Sequence, residues 1–202
     1  MKDSETLGAT PADDESGLLQ KHLKTRSARD AAELESIARA YDNYVYKARR
    51  RFARSDWLSD SFIRETHRQM FGEIWDWAGT YRTQPMNLGV APKLIHEQVG
   101  QLCGDFKFWN SAQCKMSKLE IAARLQNRLT RIHPFRNGNG RHARLMSDIY
   151  LASHRHKFPV WPQIQLITTG HEIRVRYIEA MKAADQEDYR KLIRFMEEHL
   201  PQ

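Results

Sequence analysis

Apolar residues recur along this chain at helical rather than strand spacing, and the stripes they draw predict an all-α fold. After Asp30-Ala31-Ala32-Glu33, which reads as a capping box, Ile37, Tyr41, Tyr44, Val45, Ala48 and Phe52 fall on one face of a long first helix. A second helix is predicted from Asp60 to Ala78, with Ile63, His67, Phe71, Trp75 and Ala78 inward and Gly79 as its stop. His67 reads there as a core-lining residue. Pro92 opens a third helix that buries Ile95, Val99, Leu102, Phe106 and Trp109. Ser117-Lys118-Leu119-Glu120 is a second capping box, and the helix behind it carries Ile121, Leu125, Leu129 and Ile132 inward and delivers His133. The next helix starts at Arg141 and turns Leu145, Ile149 and Ala152 to the core; two more, near Glu172–Ala184 and Asp188–Leu200, close the domain. Between the second and third helices, Thr80–Ala91 is β-leaning, punctuated by Pro85 and Gly89, and predicts a short β-hairpin.

At 202 residues, with 41% hydrophobic and 28% charged content, the chain is long enough for one substantial core, and a single domain over 18–202 is expected. Residues 1–17 hold five acids against one lysine and little that could pack, so a mobile acidic tail is expected there. The remainder is then more basic than the overall +7. With the run Lys47-Ala48-Arg49-Arg50-Arg51-Phe52-Ala53-Arg54, that basicity keeps nucleic-acid binding open. No recognition-helix or stacking motif accompanies the run, so a solvated helix face is the favoured reading. No stretch of about 18 apolar residues and no basic-then-apolar N-terminus occurs, so neither a membrane span nor a secretory signal is expected. Cys103 and Cys114 have no partner spacing and read as reduced, which points to the cytoplasm.

Chemistry concentrates in His133-Pro134-Phe135-Arg136-Asn137-Gly138-Asn139-Gly140-Arg141-His142-Ala143-Arg144. Gly138 and Gly140 can take positive φ, which would turn the N–H groups around Asn139 into one concavity suited to phosphate oxygens. A helix starting at Arg141 would add its free N–H groups and positive dipole end. Arg141 and Arg144 would share a face and lean back toward that end, two guanidinium forks for more than one phosphate. His133, placed before Pro134 at a helix end, is suited to take a proton from a hydroxyl attacking the phosphorus. Phe135 is expected to anchor the loop in the core.

These residues resemble the signature of Fic domains, His-Pro-Phe-x-x-Gly-Asn-Gly-Arg-x-x-Arg. The resemblance implies an all-α fold with the catalytic loop 133–144 between two helices, and transfer of AMP from ATP to a protein hydroxyl. It implies that His133 is the general base, that Asn139 contacts the α-phosphate, that the Gly138–Gly140 amides form the anion hole, and that Arg141 and Arg144 hold the outer phosphates. It also implies that the hairpin at 80–91 is a flap, whose Thr83, Gln84, Met86, Asn87 and Leu88 pair backbone to backbone with the target. Asn137 stands where the family usually carries an acid that holds Mg2+. One neutral carbonyl makes a weaker ligand, and asparagine serves equally as a turn residue, so both readings stay open.

The stretch Trp75–Arg82, the 133–144 wording with its asparagine, and the Thr25-Arg26 region are similar to the bacterial group called mobile mystery protein B. The restraining motif [Ser/Thr]-x-x-x-Glu-[Gly/Asn] of many Fic proteins does not occur; Ser61–Glu65 and Thr168–Glu172 match it only partly. Glu33 or Glu35 could reach an arginine by another geometry, and a separate inhibitory partner is the other route to restraint. Adenylyl transfer to an unknown target protein is the leading reading. Phosphoryl or other nucleotidyl transfer, and a catalytically weak nucleotide- or nucleic-acid-binding protein of a mobile element, are the alternatives.

Overall fold

The computed structural model describes residues 15–46 and 57–202. Among them are eight α-helices, here α1 (Arg26–Tyr44), α2 (Asp60–Phe71), α3 (Ile95–Trp109, entered through a 3-10 turn at Pro92–Leu94), α4 (Lys118–Ile132), α5 (Asn139–Ser153), α6 (Gln163–Ile167), α7 (Glu172–Ala184) and α8 (Arg190–Glu198). The expected all-α fold is what forms. None of the described helices is long and apolar enough to cross a membrane. Ala48, Phe52 and the basic run at 47–54 lie outside the described residues, as does most of the acidic tail. Of the tail's last residues, Glu15 accepts a 2.6 Å bond from Arg29.

α4 and α5 form the centre. They pack along one another, and each is buried on nearly every side, with Ala122, Ala123 and Ala143 allowing close approach. Deleting a side chain from such a core costs about 2–5 kcal/mol. The Ser117 hydroxyl caps α4 by accepting from the Glu120 N–H at 3.1 Å, as its capping box predicts.

Three boundaries move. α1 starts at Arg26, capped by Thr25, whose hydroxyl accepts from the Ala28 N–H; Asp30 and Glu33 therefore sit inside the helix rather than at its cap. Its buried stripe runs Arg29, Glu33, Ser36, Ile37, Ala40, Tyr44, so two charged residues point inward among the apolar ones. α2 ends at Phe71, not Ala78. Beyond Gly72 the backbone turns off to meet the N-terminal segment: Leu19 N–H donates to Ile74 O at 2.8 Å and Asp76 N–H to Gly17 O at 2.9 Å. Trp75 and Ala78 remain buried, Trp75 in an isolated antiparallel bridge to Leu18 and Ala78 on a turn. α5 begins at Asn139, two residues before Arg141.

Candidate active site

α4 ends at His133, which caps it in the left-handed conformation, φ 51° and ψ 58°, with its N–H donated to Leu129 O. That backbone costs a non-glycine residue about 1–2 kcal/mol and so needs external support. The Arg82 Nε–H supplies it, donating to the His133 carbonyl at 2.7 Å. The imidazole Nδ1 faces the Thr130 carbonyl at 3.2 Å, which makes Nδ1–H the donor and leaves the lone pair on Nε2. Burial lowers the His133 pKa to about 4; the Thr130 carbonyl opposes this and the Arg82 charge reinforces it. At neutral pH the ring is an uncharged base with an unprotonated Nε2.

The loop beyond it is fastened from below. Phe135 is fully buried and stacks on His67, ring centroids 3.7 Å apart and 17° from parallel. His67 is fully buried as well: its Nδ1 accepts from the Gly79 N–H at 3.0 Å, so its Nε2–H donates to the Asn137 carbonyl, also at 3.0 Å. Burial first, then the neighbouring His142, holds its pKa well below the usual range, which keeps this tautomer neutral. The Asn139 side chain closes the loop on itself, accepting from Phe135 N–H at 2.9 Å and donating to Phe135 O at 2.8 Å. The amide oxygen and one of its two N–H donors are thus engaged within the loop, which leaves the second N–H for another acceptor. Gly138 caps α5 at φ 77°, and a Cβ there would lie 2.5 Å from the Phe71 ring. Gly140 lies inside the first turn of α5 with ordinary helical φ, so the expected positive φ is found at Gly138 only.

Asn137 Oδ1 accepts from the Gly138 N–H at 2.7 Å. No group of three or more His, Cys, Asp or Glu capable of holding a metal occurs among the described residues. To an ion held through nucleotide phosphates Asn137 would offer one neutral side-chain carbonyl, the one engaged by Gly138.

The two arginines part company. Arg144 is 4% exposed, lies over the Trp161 and Tyr177 rings, and donates to Gln163 Oε1 at 3.0 Å; its Nη1 is 3.7 Å from where a Gly140 Cβ would sit, and its Nε is buried with no partner. It leans toward the helix start, as expected. Arg141 is drawn instead to Glu33 on the inward stripe of α1, 2.5 Å away, above the Phe71 ring. The other Glu33 oxygen accepts from Trp75 Nε1 at 2.6 Å. One turn beyond Arg144, buried Asp148 accepts from Tyr41 OH and Trp161 Nε1, both at 2.7 Å. Burial raises the Asp148 pKa to about 8 against the pull of those two donors and Arg144.

No hairpin forms at 80–91. Tyr81 makes one isolated antiparallel bridge, to Phe135, and Thr83, Gln84, Met86, Asn87 and Leu88 form an irregular loop. Pro85 has no N–H to give a ladder, Gly89 takes φ 96°, and the ends of the segment bond outward: Arg82 N–H to Pro134 O and Val90 N–H to Ile132 O. The backbone N–H groups at its two ends are thus given to residues 132 and 134 rather than across a ladder of its own. Sequence reasoning missed Arg82, Gln163 and Asp148, and gave His67 only a core role; an isolated arginine or aspartate at helical spacing carries no signal of what it will face.

Comparison with known proteins agrees with this geometry. Residues 57–151 match the model of the Fic/DOC family. The protein adenylyltransferase fic-1 of Caenorhabditis briggsae is 31% identical over 149 residues, covering 70% of this chain and 27% of that protein. Its Caenorhabditis elegans counterpart is 27% identical over 201 residues, covering 96% of this chain and 36% of that protein. The chain thus spans 27% to 36% of the length of these relatives. Among solved structures, C. elegans Fic-1 (residues 134–508) superposes with a TM-score of 0.67 at 23% identity, over 98% of this chain and 56% of that one. BepC of Bartonella tribocorum with bound AMPPNP superposes at 0.65 and 19% identity, over 91% of each chain. Residues 57–151, with α4 closing on His133 and α5 opening on Gly138, are a Fic/DOC family domain.

Proposed function

We propose that this chain is a protein adenylyltransferase that moves AMP from ATP to a hydroxyl side chain of another protein. The observation that carries the reading is the His133 ring: neutral at pH 7, its tautomer set by Thr130, its Nε2 lone pair unused, in a loop that runs into the amide-rich start of α5. The target hydroxyl gives its proton to Nε2 while its oxygen bonds to the α-phosphorus; the bond from that phosphorus to the bridging oxygen breaks, and pyrophosphate leaves. The α5 N-terminal amides and Arg144 offset the phosphate charge, and Arg141 joins them when it leaves Glu33. Phosphate charge near the ring favours imidazolium, lifting the base from about 4 toward the working pH when nucleotide binds.

The adenylyltransferase relatives support the transferred group, and the AMPPNP bound by the similar BepC fold supports the nucleotide. Reduced Cys103 and Cys114 and an ATP substrate fit a cytoplasmic setting. The finer resemblance to mobile mystery protein B rests on the Thr25-Arg26 region and residues 75–82 and 133–144 and leaves the target open. ATP labelled at the α- or at the γ-phosphate, incubated with the chain and a cell lysate, separates the readings. Adenylyl transfer puts only the α-label on protein; label from the γ-position alone would replace it with phosphoryl transfer, and no label from either would remove it.

A further inference from the structure

We infer that Arg82 is a positioning residue that fastens the His133 base and the 83–89 segment to one guanidinium, so that one side chain sets both. Three of its donors reach backbone carbonyls in three places: Nε–H to His133 at 2.7 Å, Nη1–H to Gln84 at 3.0 Å and Nη2–H to Val90 at 2.5 Å. Its own N–H reaches Pro134 at 2.9 Å. Arg82 is 7% exposed, and each hydrogen-bond partner of its guanidinium is a carbonyl. Only a planar fork with five donors can span these three directions; a lysine ammonium on its flexible stem cannot.

The approach is close enough to require glycine opposite. At Gly89, φ 96°, a Cβ would lie 2.5 Å from the His133 Cβ and 2.7 Å from Arg82 Nη2. The segment therefore lies with bare backbone against the base, held there by Arg82 in place of a hairpin ladder. The left-handed backbone of His133 has its carbonyl turned to the same guanidinium. Arg82 is also the charged group that acts on the His133 ring, beside burial and the Thr130 carbonyl. The inference deepens the proposed transfer, on which it rests for the meaning of the segment: the surface that meets the target and the group that takes its proton move together.

The test uses the full chain with Arg82→Lys and Arg82→Gln, read by the NMR titration of the His133 ring and by amide exchange over residues 83–90. Arg82→Lys keeps the charge and loses the span: exchange in the segment quickens by about tenfold or more, as for a lost charge-assisted hydrogen bond, while the ring midpoint moves little. Arg82→Gln quickens exchange as well and moves the midpoint upward. Variants that keep the wild-type helical signal, the wild-type exchange and the wild-type midpoint would overturn the inference. Should both Arg82 variants lose helical signal, Gly89→Ala at an exposed position drives the same parts apart; shifted His133 resonances and faster exchange support the coupling, and unchanged spectra overturn it. If wild type transfers no AMP, the transfer reading fails while these two readouts still decide the role of Arg82.

Discussion

Replacing His67 by phenylalanine isolates what holds the 133–139 loop from below. Phenylalanine keeps a flat ring to stack on Phe135, so the 3.7 Å face-to-face contact survives. Both hydrogen bonds, from Gly79 N–H and to Asn137 O, disappear at a fully buried site. Each backbone group left unpaired costs about 1–3 kcal/mol, so a loss of about 4 kcal/mol is expected. For a chain of this size each kcal/mol lowers Tm by roughly 2–4 °C, giving a fall of roughly 10 °C by calorimetry at pH 7. The deficit also depends on pH. Wild-type His67 stays neutral when folded but takes a proton when unfolded, so its contribution is whole above the ordinary histidine pKa and drains away as pH falls below it. Phenylalanine has no such drain. Between pH 7 and pH 5 the deficit of the variant should therefore shrink by about 2 kcal/mol, the proton-linkage slope of one histidine over that interval. An unchanged Tm, or a deficit that is the same at pH 5 and pH 7, would refute the assignment of tautomer and partners.

Three further outcomes follow from the geometry. Glu33→Gln keeps an acceptor for Trp75 but releases Arg141 from its charge partner, and ATP affinity measured by calorimetry should rise by roughly tenfold, the worth of a charge-assisted contact to phosphate; unchanged affinity would mean Arg141 does not meet the nucleotide. Gly138→Ala forces a Cβ against Phe71 in a left-handed backbone, so a loss of about 2 kcal/mol or more in urea unfolding is expected, with weaker ATP binding. Asp148→Asn removes a carboxyl whose folded pKa is raised to about 8: wild type loses stability as pH rises from about 4 toward 8, and the asparagine variant should not, so its relative stability climbs over that range, and parallel pH–stability curves would contradict the burial of that charge.

The helices were legible because their stripes and caps are local: Ser117 and the Ile121, Leu125, Leu129, Ile132 face define α4, and the His-Pro step marks its end. Misreadings came where a distant partner decided the outcome. Trp75 continues the α2 stripe in sequence, yet the N-terminal strand-like segment takes the backbone after Gly72. Glu33 reads as a cap residue, and also as one that could reach an arginine; the second reading is what forms, with Arg141 108 positions away. The glycine turn and the base were read from residue chemistry, whereas Arg82 and His67 bond backbone atoms, which leave no mark on the pattern of side chains.

The most direct test of the account is a single-turnover transfer from α-labelled ATP by wild type and His133→Ala, with ATP affinity measured alongside. The account predicts a rate lower by about 10² or more in the variant, as for removal of a general base, with nucleotide affinity retained. Equal rates in the two proteins would contradict it.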